Sequence, residues 1–388
     1  TTVSAVQELL VWGSDHWSGG ASLPEHPVGA SPVSCVVGEN DDGLVLGEFA
    51  SGTVGVWAKV GDLIGLPTSP NRSQLVAPNP NTTTDWDTTD PSVIVTLNAA
   101  IAPNGRWEAV RIDGDDIRGR QVAAALNDTD PVHVSFMARR LTVSGNGRIR
   151  ILEAGGDPCS DYIPFAMTTS WKRFDLFDIA LYPGFVPARV AWFPSDNGDA
   201  TMELAGPVWI DQSTTHSAPP ICIPTVNSGD SMSHVDVEAL DLDPQHNYEG
   251  EIAAEVVTLN PAVEPGIIAI LQSNGNDTHK LYLEGGQTKF SHRDGSGTEV
   301  ISEVTESTGW TTKQTLRGRW NRLGLLDAAN AFAGVVTNSG QDFDRASTWT
   351  ADDGGYDTIH IANEDTVNQF NGLIVRLTVR ARERILPE

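Results

Sequence analysis

In 388 residues there are three cysteines, four methionines, five tyrosines and five lysines, and each scarcity narrows the reading. Cys35, Cys159 and Cys222 lie far apart, with no C-x-x-C and no zinc-type spacing, so at most one disulfide is expected and any remaining thiol is buried. No apolar run approaches the roughly 18 residues that a membrane-spanning helix needs. The opening stretch "TTVSAVQELLVWGSDHW" has neither a basic region nor a long apolar core, so it does not read as a secretory signal. The nine histidines are scattered without H-E-x-x-H or other metal spacing, and there is no G-x-S-x-G elbow and no phosphate-cradling glycine loop. Helical periodicity is nearly absent. Only "SAVQELLVW" and "GRQVAAAL" have the pattern of a helix.

What the chain does have is negative charge. Fifty-one acidic residues against 25 basic ones give a formal net charge of −26, which repels nucleic acid and anionic lipid and argues against both as partners, and against membrane insertion. Asp outnumbers Glu 32 to 19, and 20 of the 25 basic residues are Arg. A surface of short acidic side chains with few lysines matches a protein working in molar salt, where screening removes the self-repulsion. Four Asn-x-Ser/Thr triplets, at Asn71, Asn81, Asn127 and Asn276, fall in polar turns and are no more than such an Asn- and Thr-rich chain holds by chance.

Elsewhere apolar and polar residues alternate over four to eight positions between Gly, Pro, Asn and Asp, as in "HVSFMARRLTV", "GRIRILEA" and "GLIVRLTVRA". The fold class expected is all-β: tandem antiparallel β-sandwiches, or jelly rolls, with a small N-terminal segment. The Pro-, Asn- and Thr-rich stretch 65–91 and the stretch 211–234 mark boundaries. They divide the chain into an N-terminal attachment segment (1–78), a first jelly roll (79–213), a linker (214–234) and a second jelly roll (235–388). In the last strand Leu373, Val375, Leu377 and Val379 share one face, and Ile374 and Arg376 take the other.

Two resemblances sharpen this. The order "GRWNRL", "VVTNSG", "IHIAN" and "FNGLIVRLTVR" resembles the concanavalin A-like, laminin-G-type jelly roll over residues 248–388, in particular the versions in structural proteins of tailed viruses that end in an Arg-rich strand. The middle block, with "NPNTTTDWDTTD", "RWEAVRIDG", "TTSWKRFDLFDIAL" and "ATMELAGPVWIDQ", is similar to carbohydrate-binding-module jelly rolls over residues 79–213. The resemblances imply a structural protein on the surface of a tailed-virus particle (capsid decoration, turret or tail fibre). Its partners would be capsid or tail proteins and host-surface glycans, and it would be a homo-oligomer.

Catalysis finds little support. Glycoside hydrolysis needs two carboxylates about 5 to 9.5 Å apart, and glucanases of the concanavalin A-like fold carry Glu-x-Asp-x-Glu on one strand face. "DVEALDLD" puts Asp236 and Glu238 on one face, then breaks phase at Leu240. No enzyme activity and no cofactor are expected. The acidic turns 113–116 and 351–357 have oxygens suited to a structural Ca²⁺ but do not follow the D-x-D-x-D-G loop. Carbohydrate binding has better candidates, because sugar C–H faces stack on aromatic rings while hydroxyls seek polar groups. Trp86, Tyr162, Trp349 and Tyr356 sit in polar loops and are the candidate carbohydrate-binding residues; Trp107, Trp171, Trp192, Trp209 and Trp320 sit in strand patterns and are expected in the core. A virion-borne or secreted glycan-degrading enzyme and a purely architectural cementing protein are the alternatives.

Overall fold

A computed structural model describes residues 6–13, 16–17, 33–50, 57–68, 75, 79–81, 86, 94–113, 120–121, 126–195, 200–212, 221–224, 235–238, 249–258, 266–273, 278–293, 299–305, 313–320, 325–332, 335–342, 356–361, 370 and 372–382. Every regular element among them is a strand. The N-terminal part gives β1 (Val6–Gly13), β2 (His16–Trp17), β3 (Val33–Asn40), β4 (Gly43–Phe49), β5 (Ala58–Val60) and β6 (Leu63–Thr68). The middle gives β7 (Ile94–Ile101), β8 (Trp107–Asp113), β9 (Arg120–Gln121), β10 (Val132–Arg140) and β11 (Gly145–Glu153). It continues with β12 (Ile163–Met167), β13 (Lys172–Ile179), β14 (Pro187–Phe193), β15 (Thr201–Gln212) and β16 (Ile223–Pro224). The last part begins with β17 (Val235–Glu238), β18 (Glu249–Thr258), β19 (Gly266–Ser273), β20 (Thr278–Glu284) and β21 (Gln287–Arg293). It ends with β22 (Glu299–Thr305), β23 (Gln314–Trp320), β24 (Leu325–Phe332), β25 (Val335–Asp342), β26 (Tyr356–Ile361) and β27 (Gly372–Arg382). The "SAVQELLVW" stretch expected to be helical therefore contributes β1, whose backbone groups pair with β27 from Val6↔Arg382 to Gly13↔Arg376.

The strands form two compact units: residues 30–51 with 72–231, and residues 1–29 and 52–71 with 232–388. In the first, the sheet β13-β10-β15-β8-β7 faces the sheet β12-β11-β14-β9. Period-two alternation sends Val132, Val134 and Phe136 of β10 inward to meet Ile149 and Ile151 of β11 and Trp192 of β14. The outer face of the five-stranded sheet is also covered. There Val36 of β3 and Leu46 of β4 pack on Ala100, Ala109, Met137 and Ala205, and Trp171 exchanges backbone hydrogen bonds with Asp42 and Leu44 at the β3–β4 turn. Under that hairpin Glu203 is fully buried between two cross-strand arginines, accepting from Arg111 Nη2 at 2.9 Å and Arg139 Nε at 2.8 Å. A Cys35–Cys222 disulfide ties β3 to the segment that holds β16, while Cys159 is a buried free thiol.

In the second unit β2-β1-β27-β18-β23-β24-β25, joined on β27 by β6 and through it β5, faces β17-β26-β19-β20-β21-β22. Ile252, Ala254, Leu316, Leu377 and Val379 from one sheet meet Ile268, Leu271, Leu281, Phe290 and Ile359 from the other. The Trp320 and Phe290 rings pack directly on Gly250 and Gly318, where any Cβ would overlap the ring. The expected face of β27 changes at one point. The register against β18 slips between Glu255↔Arg376 and Val256↔Ile374, a bulge that turns Ile374 into the core beside Leu377 and leaves Val375 half-buried.

Residues 1–78 are thus not a separate segment. Their strands are shared out, β3 and β4 to one unit and β1, β2, β5 and β6 to the other: β1 and β6 pair with β27, whereas β3 pairs with β4 and β16, and the β3–β4 hairpin packs on the five-stranded sheet. The expected linker 214–234 likewise carries β16, paired with β3 and anchored by Cys222.

Candidate functional site

The β7–β8 hairpin turns tightly: Ala102 N–H donates to the Arg106 carbonyl and Gly105 N–H to the Ala102 carbonyl, with Gly105 in the left-handed region at φ 79°. The turn projects polar groups into a shallow cleft lined by Glu48, Asn79, Asn104, Arg106, Glu108 and Pro207. Arg106 Nη2 lies 2.6 Å from Glu48 Oε2. Asn104 Nδ2 donates to Glu48 at 3.0 Å and to Glu108 at 2.5 Å. Amide, carboxylate and guanidinium groups held in place this way suit the alternating donors and acceptors of sugar hydroxyls.

On the same hairpin stands Trp107, 61% exposed, with its cross-strand partner Ile101 52% exposed. The indole Nε1–H donates to the Asn98 carbonyl at 2.5 Å, fixing the ring. Asn98 itself has φ 49° and is locked by Asn81, whose Nδ2 donates to its Oδ1 at 2.6 Å and whose Oδ1 accepts its N–H at 2.9 Å. Trp107 was expected in the core. It stands exposed where the β7–β8 ladder is irregular, the register slipping between the Ala100↔Ala109 and Ile101↔Trp107 pairs.

Tyr162 is exposed, as its polar loop implies, at 42%. Arg148 and Arg150 alternate along β11 with the buried Ile149 and Ile151, so both point outward, with guanidinium carbons 4.1 and 4.4 Å from the Tyr162 ring centroid. Arg148 also lies 5.3 Å from the Phe193 ring, which meets Tyr162 edge-on at 5.2 Å. Arg150 Nε donates to the Ser160 carbonyl, and Tyr182 O–H donates to Asp161 Oδ1 at 2.5 Å. That bond to Asp161 raises the Tyr182 pKa. The ring face available to a sugar at Tyr162 is therefore shared with guanidinium.

The other expected candidates fare differently. Trp86 is no exposed aromatic: it is buried at 8%, its Nε1–H donates to the Pro80 carbonyl at 2.8 Å, and its ring packs 5.9 Å from Trp192. Trp349 lies outside the described residues, as does the side chain of Tyr356, whose backbone in β26 pairs with Ser273 of β19. Asp236 and Glu238 fall in β17, described only through its pairing with β26. Of the two acidic turns, residues 114–116 and 351–355 lie outside the described residues, and among the described residues no group of three or more His, Cys, Asp or Glu side chains is placed to hold a metal ion. Trp171, Trp192, Trp209 and Trp320 are buried as expected.

No protein-family model matches the chain, and no curated protein matches it. Among solved structures, the binding domain of botulinum neurotoxin serotype G is 11% identical over 40% of this chain and 39% of its own, with a TM-score of 0.30. This chain thus spans about two fifths of that domain's length. Domains LG4-5 of the mouse laminin alpha1 chain are 9% identical over 83% of this chain and 97% of theirs (TM-score 0.29). The CBM22 tandem domain from Paenibacillus barcinonensis Xyn10C is 10% identical over 81% and 100% (TM-score 0.25). At these scores the likenesses settle neither family nor ligand, and the all-β architecture stands on the strands themselves.

Proposed function

We propose that the chain is a non-catalytic, glycan-binding surface protein. The observation that carries this is Trp107: a ring left 61% exposed while its N–H is pinned in place, beside a cleft of fixed amide, carboxylate and guanidinium groups. An aromatic face costs solvent exposure unless something covers it, and a rigid ring loses little entropy when a sugar does so. Glycan-array binding of the wild-type chain, compared with Trp107→Ala, tests the reading. The expected result is a loss of about tenfold, the scale of one stacking contact plus its buried area. A flat array for the wild-type chain sinks it and leaves the architectural alternative.

Within this reading the chain is displayed on a tailed-virus particle, as a homo-oligomer held to capsid or tail proteins, and meets host-surface carbohydrate. Support comes from the Asp-rich, Lys-poor charge of −26 and from the Arg-rich closing strand. Several weak sites on one particle would bind together with far greater strength than any one alone. Imaging labelled particles would place the chain on head or tail, or nowhere.

One observation favours an enzyme: Glu48 and Glu108 share a single amide nitrogen, which brings two carboxylates close together as glycoside hydrolysis requires. The amide occupies the gap where a scissile bond would sit, and Arg106 neutralises Glu48, so binding is the better reading. Release of reducing ends from host polysaccharide, abolished by Glu108→Gln, would reverse that preference.

A further inference from the structure

We infer that the Arg148–Arg150–Tyr162 cluster is a second binding site, selective for the carboxylate or sulfate of an acidic glycan. It rests on a different sheet from Trp107, and it goes beyond the proposed function by adding a charge requirement. In a chain of net charge −26, two neighbouring outward-facing guanidiniums would be expected to attract carboxylates of the chain itself. Among the described residues neither forms an ion pair. Instead both stack within 4.4 Å of one exposed ring, and the buried Nε of Arg148 has no hydrogen-bond partner among the described residues.

Stacking on Tyr162 and Phe193 holds the guanidinium of Arg148 in one orientation, and the Ser160 carbonyl holds that of Arg150. Held that way, the two present N–H groups that match the paired oxygens of an acid group. Asp161 accepts the Tyr182 O–H, and Tyr182 also interacts with Arg150, so one carboxylate faces two arginines here and Arg148 is the less engaged of the two. The ligand is a polysaccharide whose acid group sits between the arginines while its ring C–H edge rests on Tyr162 and Phe193.

The test uses the full chain and matched polymers: polygalacturonate against its methyl ester, and dextran sulfate against dextran, by titration calorimetry in 50 and 300 mM NaCl. The inference expects at least one acidic polymer to bind tenfold or more tighter than its neutral partner. It also expects that preference to shrink in high salt and to fall tenfold or more in Arg148→Gln and in Arg150→Gln. Arg148→Lys keeps charge without the fork and should fall between. Lys59→Gln removes one positive charge from the other unit and should change nothing. Melting temperatures of the variants confirm folding. Equal affinity for acidic and neutral polymers, no binding of either, equal binding of polyglutamate, or full retention of the preference in both arginine variants overturns the inference. Binding to neutral glycans through Trp107 survives all of these outcomes, so the two readings fail separately.

Discussion

A polar neighbourhood in sequence is a weak guide to exposure for a single aromatic. Trp86 has Thr and Asp on both sides, yet its indole N–H finds the Pro80 carbonyl and the ring sinks against Trp192. Trp107 stands in an alternating strand pattern and is open to solvent, at a register slip in the β7–β8 ladder that the alternation does not reveal. Tyr162 was legible as exposed, but not its two arginines, which only the β11–β12 pairing brings to it. Buried polar residues carry two testable consequences at this scale. Glu203→Ala leaves Arg111 and Arg139 facing an apolar hole, and should cost about 3 kcal/mol in urea unfolding of the first unit. His279 sits 4.2 Å from the Trp320 ring and 4.8 Å from His292, and burial followed by the His292 charge holds its pKa well below the ordinary value. Its unfolded form takes up a proton below about pH 6.5 while the folded form does not. Stability of the second unit is therefore intact above that pH and falls as pH drops below it, by up to about 1.4 kcal/mol per unit. His279→Phe should flatten the acid limb of a melting-temperature profile; an unchanged limb would place the titration elsewhere.

For the elements, strand content and most inward faces were readable from period-two alternation, because that pattern is local. The bulge at Val375 was not, since a one-residue slip in the ladder leaves the sequence looking regular while exchanging its faces. Nor was the destination of β1 or β3: β1 meets β27 more than 350 residues later, and nothing near either strand encodes that distance. The disulfide was foreseen only as an upper limit of one; its closure of a 187-residue separation fixes the β3–β4 cover on the five-stranded sheet. Cys35→Ala with Cys222→Ala should lower stability of the first unit by about 2–4 kcal/mol and open residues 33–49 to protease. Cleavage unchanged by the double substitution would mean the apolar contacts of Val36 and Leu46 suffice. Cys159 should stay unreactive to thiol reagents in the folded protein, since burial, with Glu153 and Asp157 nearby, pushes its thiol up to about 11.

At the scale of the molecule the dominant quantity is charge. The chain carries 26 more negative than positive groups, so counter-ions should stabilise its folded form. Raising NaCl from about 0.1 to 2 M should raise the melting temperature continuously, beyond the point near a few tenths molar where isolated ion pairs are already screened. A melting temperature that falls over that range would remove the reading of the acidic surface as an adaptation to molar salt. The double-sandwich plan could be read from the sequence, whereas the sharing of the N-terminal strands between both units could not.

That sharing has a consequence for the order of events on the ribosome. The strand Val6–Gly13 is made more than 350 residues before its neighbour Gly372–Arg382, so at ordinary elongation rates it waits on the order of half a minute with only the two-residue β2 to pair with. Throughout that interval the edge of β1 that β27 will take has no partner, and the intervening sandwich can close before the unit that was begun earlier is finished.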